Sequence, residues 1–288
     1  MDLRYFDEVA RLVGVLGLKV SQRGELLAYQ TWDKECRRNV YSASKSVTSL
    51  AVGFAVQEGL LSLKEPLTDA FSESLPAEVS AHLRAATVRD LLTMCLGQSE
   101  AQLMDAQRPL YAQEDWVRLS LSFPFSDAPG TRFLYNNVGP YLAGVLVQRR
   151  AGCSLVDYLM PRLFAPLGIV RPTWETDPLC NTFGASGLYL TLSELHKIGL
   201  FCLQRGMWEG RQLLDAAWLE ECSRRQSDAP YGYLFWIGKH DSFRLDGKYC
   251  QLSVIFPEKE AVITVVSECR KPEILNRAIY DDLYPQLA

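Results

Sequence analysis

The sequence predicts an α/β (α+β) fold: an antiparallel sheet flanked by N- and C-terminal helices, with an all-helical lobe inserted into it. Three observations carry this. Residues 13–20 and 26–30 read as two strands around Gln22-Arg23-Gly24-Glu25, a hairpin signal, and follow a short first helix. The middle of the chain reads as helices and their connections. The last part returns to strands at 232–237, 242–245, 251–256 and 261–266, and ends in a helix over 273–284. Strands from both ends can complete one antiparallel sheet. The expected division is therefore residues 1–60 with 185–288 as a discontinuous sheet domain and 61–184 as the helical lobe. A cleft between the two is the natural pocket.

Taken in order, residues 2–12 place Tyr5, Phe6, Val9 and Leu12 near one helical face. The charged stretch 31–40 is a loop leading to residues 41–61, YSASKSVTSLAVGFAVQEGLL, the helix that the chain is organised around. Its apolar positions Val47, Leu50, Ala51, Phe54 and Ala55 follow helical spacing, and Ser46, Thr48, Ser49 and Gly53 are all small. So little charge over four turns predicts a buried helix. Residues 61–75 contain Pro66 and read as loop and short helix. Residues 87–94 read as a helix with Thr87 as cap, and 113–120 as another. After the Pro129-Gly130 turn comes FLYNNVG, then helices over 141–150 and 154–163. Residues 165–182 form a Pro-containing connection. Residues 192–205 and 216–225 read as amphipathic helices. No internal repeat or low-complexity tract is visible.

Ser42 and Lys45 interrupt the apolar pattern of the central helix. They are three apart and share a helical face. A lysine facing a core is costly unless its charge is paired or given up, which is the condition under which it serves as a base. Ser42 sits at the helix start, where free N–H groups favour developing negative charge. The S-x-x-K pattern alone also fits an N-cap serine with a solvated lysine, and a chain of this length holds about one by chance. Tyr135 lies in a loop before an apolar helix. A positive charge beside it favours phenolate, so a Tyr–Lys pair can take a proton from a serine hydroxyl and return it to a leaving group. Asn137 projects from the same loop and can reach Lys45 and a substrate carbonyl. By itself Tyr135 also fits a core tyrosine with a satisfied hydroxyl, and Asn137 a turn former.

Composition narrows the classes. The 288 residues are 48% hydrophobic and 11% aromatic, enough for a sizeable core, with a formal net charge of −4. No basic stripe with interleaved aromatics is present, so nucleic acid is not an expected partner. No apolar run approaches a membrane span, and Asp2, Asp7 and Glu8 stand where a signal peptide would carry lysines. A cytoplasmic protein with no membrane partner is expected. The eight cysteines are widely spread without a C-x-x-C pair, as reduced and mostly buried thiols would be. That spacing also argues against structural zinc. His82, His196 and His240 lie far apart in no metal-binding spacing and are expected to be structural or superficial.

Five segments in order carry a family resemblance: YSASKS, EGLLSLKEPLTDAF, TVRDLLTMCLG, PG followed by FLYNNVGPYLAGVL, and GASGLYLTLSELHKIGLF. The chain resembles the serine β-lactamase and penicillin-binding-protein superfamily, in its class C-like esterase, amidase and peptidase branch. The resemblance runs from about Val13 to about Val266. It implies Ser42 as acylated nucleophile, Lys45 and Tyr135 as general acid and base, and Asn137 as a substrate contact, on a sheet-plus-helical-lobe fold. The third family motif, K-T-G or H-x-G, departs here to Leu245-Asp246-Gly247, followed by Lys248. Loss of that cation removes a charge-assisted contact worth roughly 1.5–3 kcal/mol. Lys248 is the available substitute. Gly247 would let substrate approach the strand. The oxyanion hole would pair the Ser42 N–H with one N–H between Lys248 and Gln251.

The expected function is a serine hydrolase acting through an acyl-enzyme on a small ester, amide or peptide, with no metal or organic cofactor. The alternatives are a β-lactamase or penicillin-binding protein, and a ligand-binding homologue that has lost turnover. Substrate identity and oligomeric state are not legible.

Overall fold

A computed structural model describes residues 1–288. Helix α1 (Arg4–Val13) ends where Gly14 turns left-handed. Strands β1 (Val15–Gln22) and β2 (Glu25–Thr31) then pair antiparallel across a two-residue loop, Arg23-Gly24, with φ of 49° and 80°. Positive φ at both positions twists the hairpin in the sense that strands prefer. Near the other end lie β3 (Trp236–Ile237), β4 (Phe243–Gly247), β5 (Gln251–Phe256) and β6 (Ala261–Ser267). The six strands form one sheet in the order β2-β1-β6-β5-β4-β3. The two ends of the chain meet where β1 pairs antiparallel with β6, Leu18 opposite Val265.

Both faces of this sheet are covered, so β5 and β6 are buried along their whole length. Alternation along a strand sends neighbouring residues to opposite cores. Val254 and Ile263 pack under α1 and the C-terminal helix, whereas Ile255 and Val262 join the larger core on the other face. That larger core runs without a break into the helical lobe, taking in Val47, Leu50 and Leu146.

Helix α2 (Ser44–Gln57) has every residue from Ser44 to Ala55 buried. The lobe contains short turns at Leu67–Ala70 and Ala81–Ala85, then α3 (Val88–Thr93), α4 (Trp116–Ser122), α5 (Val138–Ala151) and α6 (Leu155–Leu159). Thr87 and Asp90 cap α3 reciprocally, and Asp115 caps α4. Helix α7 (Leu192–Leu203) opens on a second capping box, Thr191 with Glu194, and lies on the inner sheet face. Helix α8 (Ala216–Ser223) is capped by Asp215, and α9 (Pro272–Arg277) closes the chain together with a π turn, Ala278–Leu283.

Four expected elements differ in detail. The central helix starts at Ser44; Tyr41–Ala43, including Ser42, form a separate 3-10 turn. The helix expected over 154–163 is α6 followed by a π turn, Met160–Phe164. The C-terminal helix divides in the same way after Arg277. The strand expected over 232–237 shrinks to Trp236–Ile237, because Leu234 is left-handed and turns the chain inward. There its N–H donates to Leu92 O at 3.1 Å and its carbonyl accepts from Ser46 Oγ at 2.7 Å. The aromatic run that resembled a strand is packing material under α2. No helix is long and apolar enough to cross a membrane. All eight cysteines are free, and five are buried.

Candidate active site

The site begins with a constrained turn. A short antiparallel pair, Arg38–Asn39 with Tyr189–Leu190, brings the chain to Tyr41. Tyr41 is left-handed at φ 47°, unusual for a bulky residue, and its N–H is held by Asn39 Oδ1 at 2.7 Å. Ser44 Oγ donates back to Tyr41 O at 2.5 Å and accepts from Leu188 N–H at 3.2 Å. The turn therefore lifts Ser42 to the cavity mouth just before α2 begins. The Ser42 N–H finds no acceptor within the protein.

Lys45, on the first turn of α2, is 1% exposed. Its Nζ meets three acceptors: Ser42 Oγ at 3.0 Å, Asn137 Oδ1 at 2.7 Å and Ala185 O at 2.8 Å. Three acceptors match the three protons of an ammonium. If one proton leaves, two donors still serve Asn137 and Ala185, and the lone pair faces Ser42. Burial holds the amine down at about 7, against a smaller upward pull from Asp105 and a downward push from Arg108. No carboxylate forms an ion pair with it.

Asn137 sits just ahead of α5, its Nδ2 donating to Leu103 O at 2.9 Å, so the oxygen is committed to Lys45. The adjacent Asn136 instead accepts from Gly139 N–H at 3.0 Å and tethers the start of α5. The Ser42 side chain lies beside the Tyr135 hydroxyl and pulls its pKa down a little. The Tyr135 ring stacks on Trp236 with centroids 5.5 Å apart, meets Tyr231 edge-on at 6.2 Å, and lies 4.9 Å from Lys45 Nζ. The expectation that Lys45 would ease its ionisation is not met. Burial pushes the phenol up to about 12, with Asp246 and Asp105 adding to the rise. Tyr135 is a proton donor at neutral pH.

Of the other sequence-derived candidates, Gly247 and Lys248 line the cavity and Gln251 does not. Lys248 is half exposed and reaches across the cleft to Asp105 Oδ2 at 3.1 Å, so its charge is already paired. Gly247 lines the cavity, yet a Cβ there would collide with the Val40 carbonyl oxygen. Its smallness lets β4 press against the Ser42 turn. Gln251 is buried opposite Gly247 and donates to Ser267 O at 2.5 Å; its side chain is outside the cavity wall. The Lys248 N–H is without an acceptor, like that of Ser42.

The cavity at Ser42 measures about 740 Å³, within the range of small-molecule sites. Ser42, Tyr135 and Asn137 line it with Tyr41, Trp236 and Tyr249. The sequence reading missed the Ala185 carbonyl, because a backbone acceptor leaves no mark on residue type. It also missed Trp236, and the pair Arg244–Asp246 at 2.8 Å on the cavity wall. Alternation along β4 puts Arg244 and Asp246 on one face, which was a usable signal.

The sequence pattern of the family described as Beta-lactamase matches residues 7–283. The chain belongs to the beta-lactamase family. Among curated family relatives, a lovastatin esterase of Penicillium rubens is 32% identical over 151 residues, 44% of this chain and 37% of that protein. A monacolin J acid methylbutanoyltransferase of Aspergillus terreus is 28% identical over 162 residues, 50% of this chain and 38% of that protein. The matches thus span little more than a third of these relatives. The octameric penicillin-binding protein homologue from Pyrococcus abyssi superposes with a TM-score of 0.79 at 18% identity, covering 99% of this chain and 78% of that one. This last likeness is one of fold.

Proposed function

We propose that the protein is a serine hydrolase that cleaves a small ester or amide through an acyl-enzyme at Ser42. The observation that carries this reading is the Lys45 amine, buried, free of a carboxylate partner, held at about 7 and 3.0 Å from Ser42 Oγ. A lysine kept near neutrality beside a hydroxyl is an activated nucleophile pair. The Beta-lactamase match and the esterase and acyltransferase relatives support it.

In the forward step the neutral Lys45 amine takes the Ser42 proton while Oγ attacks the carbonyl carbon. Negative charge on the carbonyl oxygen falls to the N–H groups of Ser42 and Lys248. As the bond to the leaving group breaks, Tyr135 gives that group its proton and is recharged from the Lys45 ammonium. Water then enters, loses a proton to the same pair, and releases the acid with Ser42 restored. Asn137 holds Lys45 in place throughout.

The test is intact-mass measurement over time with an activated phenyl ester and, separately, a penicillin. Wild type should gain and lose the acyl mass with the ester, and Ser42→Ala should never gain it. Unchanged ester turnover in Ser42→Ala overturns the assignment. A lasting penicillin adduct would instead favour a penicillin-binding role.

A further inference from the structure

The Ser42 cavity does not end at its own rim. A second cavity of about 580 Å³ adjoins it, and Arg244 and Asn276 line both. The two form one groove along the outer strands β4 and β3 and over α9. A short ester needs only the first cavity. Three of the groove's cations are paired within it, as Lys248–Asp105, Arg244–Asp246 and Lys239–Asp281. What remains is Arg225, Arg270 and Arg277 against Glu273, and none of these four has an ion-pair partner. A chain of net charge −4 thus carries three unpaired guanidinium groups along this groove.

Resting on the hydrolase reading above, we propose that the second cavity is a binding subsite for an anionic oxygen group, a carboxylate or a phosphate, on the distal end of an elongated ester or amide substrate. Arginine forks match both groups in geometry. Arg244, side chain 17% exposed and fixed through Nε by Asp246 at 2.8 Å, stands at the junction with its outer nitrogens uncommitted to any carboxylate. The substrate carbonyl would sit at Ser42, the chain would pass Arg244 and Asn276, and the anion would end near Arg225 and Arg277.

The experiment uses phenyl acetates carrying, on a flexible alkyl chain para to the ester, a neutral amide, a carboxylate or a phosphonate. Wild type should show kcat/KM about tenfold or more higher for an anionic ester than for the amide, as one charge-assisted contact provides. The preference should shrink in roughly 0.5 M NaCl. The double variant Arg225→Glu with Arg277→Glu should bring the anionic-to-neutral ratio to one or below. The carboxylate and phosphonate arms identify which oxyanion is read. A wild-type ratio of one overturns the subsite, as does a ratio that the double variant leaves unmoved. Binding of the corresponding phenols to Ser42→Ala, followed by tryptophan fluorescence, separates the two readings. Tighter binding of the anionic phenol without ester turnover supports the subsite and sinks the hydrolase; turnover without charge preference does the reverse.

Discussion

Lys45 is where this molecule exchanges stability for reactivity. Its amine must be neutral to accept the Ser42 proton, so kcat/KM should rise with pH through about 7 and then level. Asp105 pulls the Lys45 pKa upward. Asp105→Asn should therefore move the rise to lower pH, which a pH–rate profile reads directly; a midpoint that stays fixed or moves upward would contradict the assignment. Lys45→Met should abolish the profile together with the activity. Tyr135→Phe should cost on the order of 10²–10⁴ in rate, with a larger loss for amides, whose leaving group needs the proton, than for activated phenyl esters. The Ser42 and Lys45 spacing was legible because residues three apart meet on one side of a 3-10 turn as they do on an α-helix, and Nζ lies 3.0 Å from Oγ. The proton state of Tyr135 was not, because depth of burial is a property of the packed molecule. Lys248 was unreadable for a local reason. Tyr249 and Cys250 after it are both left-handed at φ 60°, and neither residue type announces such a bend.

At the scale of elements, the site depends on how closely β4 approaches the Ser42 turn. Gly247→Ala would set a methyl group against the Val40 carbonyl, both on backbone that cannot swing aside. The expected cost is about 1–3 kcal/mol of stability, visible in the urea midpoint, together with a fall in kcat as β4 is displaced. Full kcat in a destabilised variant would show that β4 is mere scaffold. Capping is the opposite kind of feature. Thr191→Ala should cost about 1 kcal/mol through the start of α7 and leave kcat alone. Such caps were written in the sequence as T-x-x-D and T-x-x-E. The hairpin was equally plain, since Gln22-Arg23-Gly24-Glu25 sets a polar, glycine-containing break between two apolar runs. The short β3 was overestimated because alternation in its aromatic run serves packing on α2 and α3.

For the whole molecule, two buried bases set the response to pH. His196 joins α7 to the sheet, Nε2 to Ser21 Oγ and Nδ1 to Thr264 Oγ1, each at 2.8 Å. Burial holds it down at about 3, from 6.5 in the unfolded chain, with Lys19 adding a little. A depressed histidine contributes stability that is full above the unfolded value and is lost as pH falls towards 3. Lys45 follows the same sign from about 7 upward, so stability should keep rising towards pH 8; above about 9 the buried thiols of Cys202 and Cys222, pushed up by burial, act in the opposite direction. Urea midpoints recorded from pH 4 to 8 should climb, and His196→Gln should flatten the acid limb alone. A maximum near pH 5 would contradict both. The expected sheet of strands from both chain ends is present, as is the helical lobe. The unbroken core between them was not legible, since hydrophobic spacing says which face is buried but not against which partner.

The pairing of β1 with β6 also has a consequence for synthesis. Val15–Gln22 leaves the ribosome well over two hundred residues before its partner Ala261–Ser267. Until that partner emerges, the hairpin offers an open, apolar edge with Leu18 and Val20 uncovered. The sheet closes only once residues 261–267 have emerged, through a contact of very long sequence separation, so folding should be slow and helped by holdase chaperones. Nascent chains stalled before residue 261 should remain sensitive to protease at β1, and become resistant once the final strand is out.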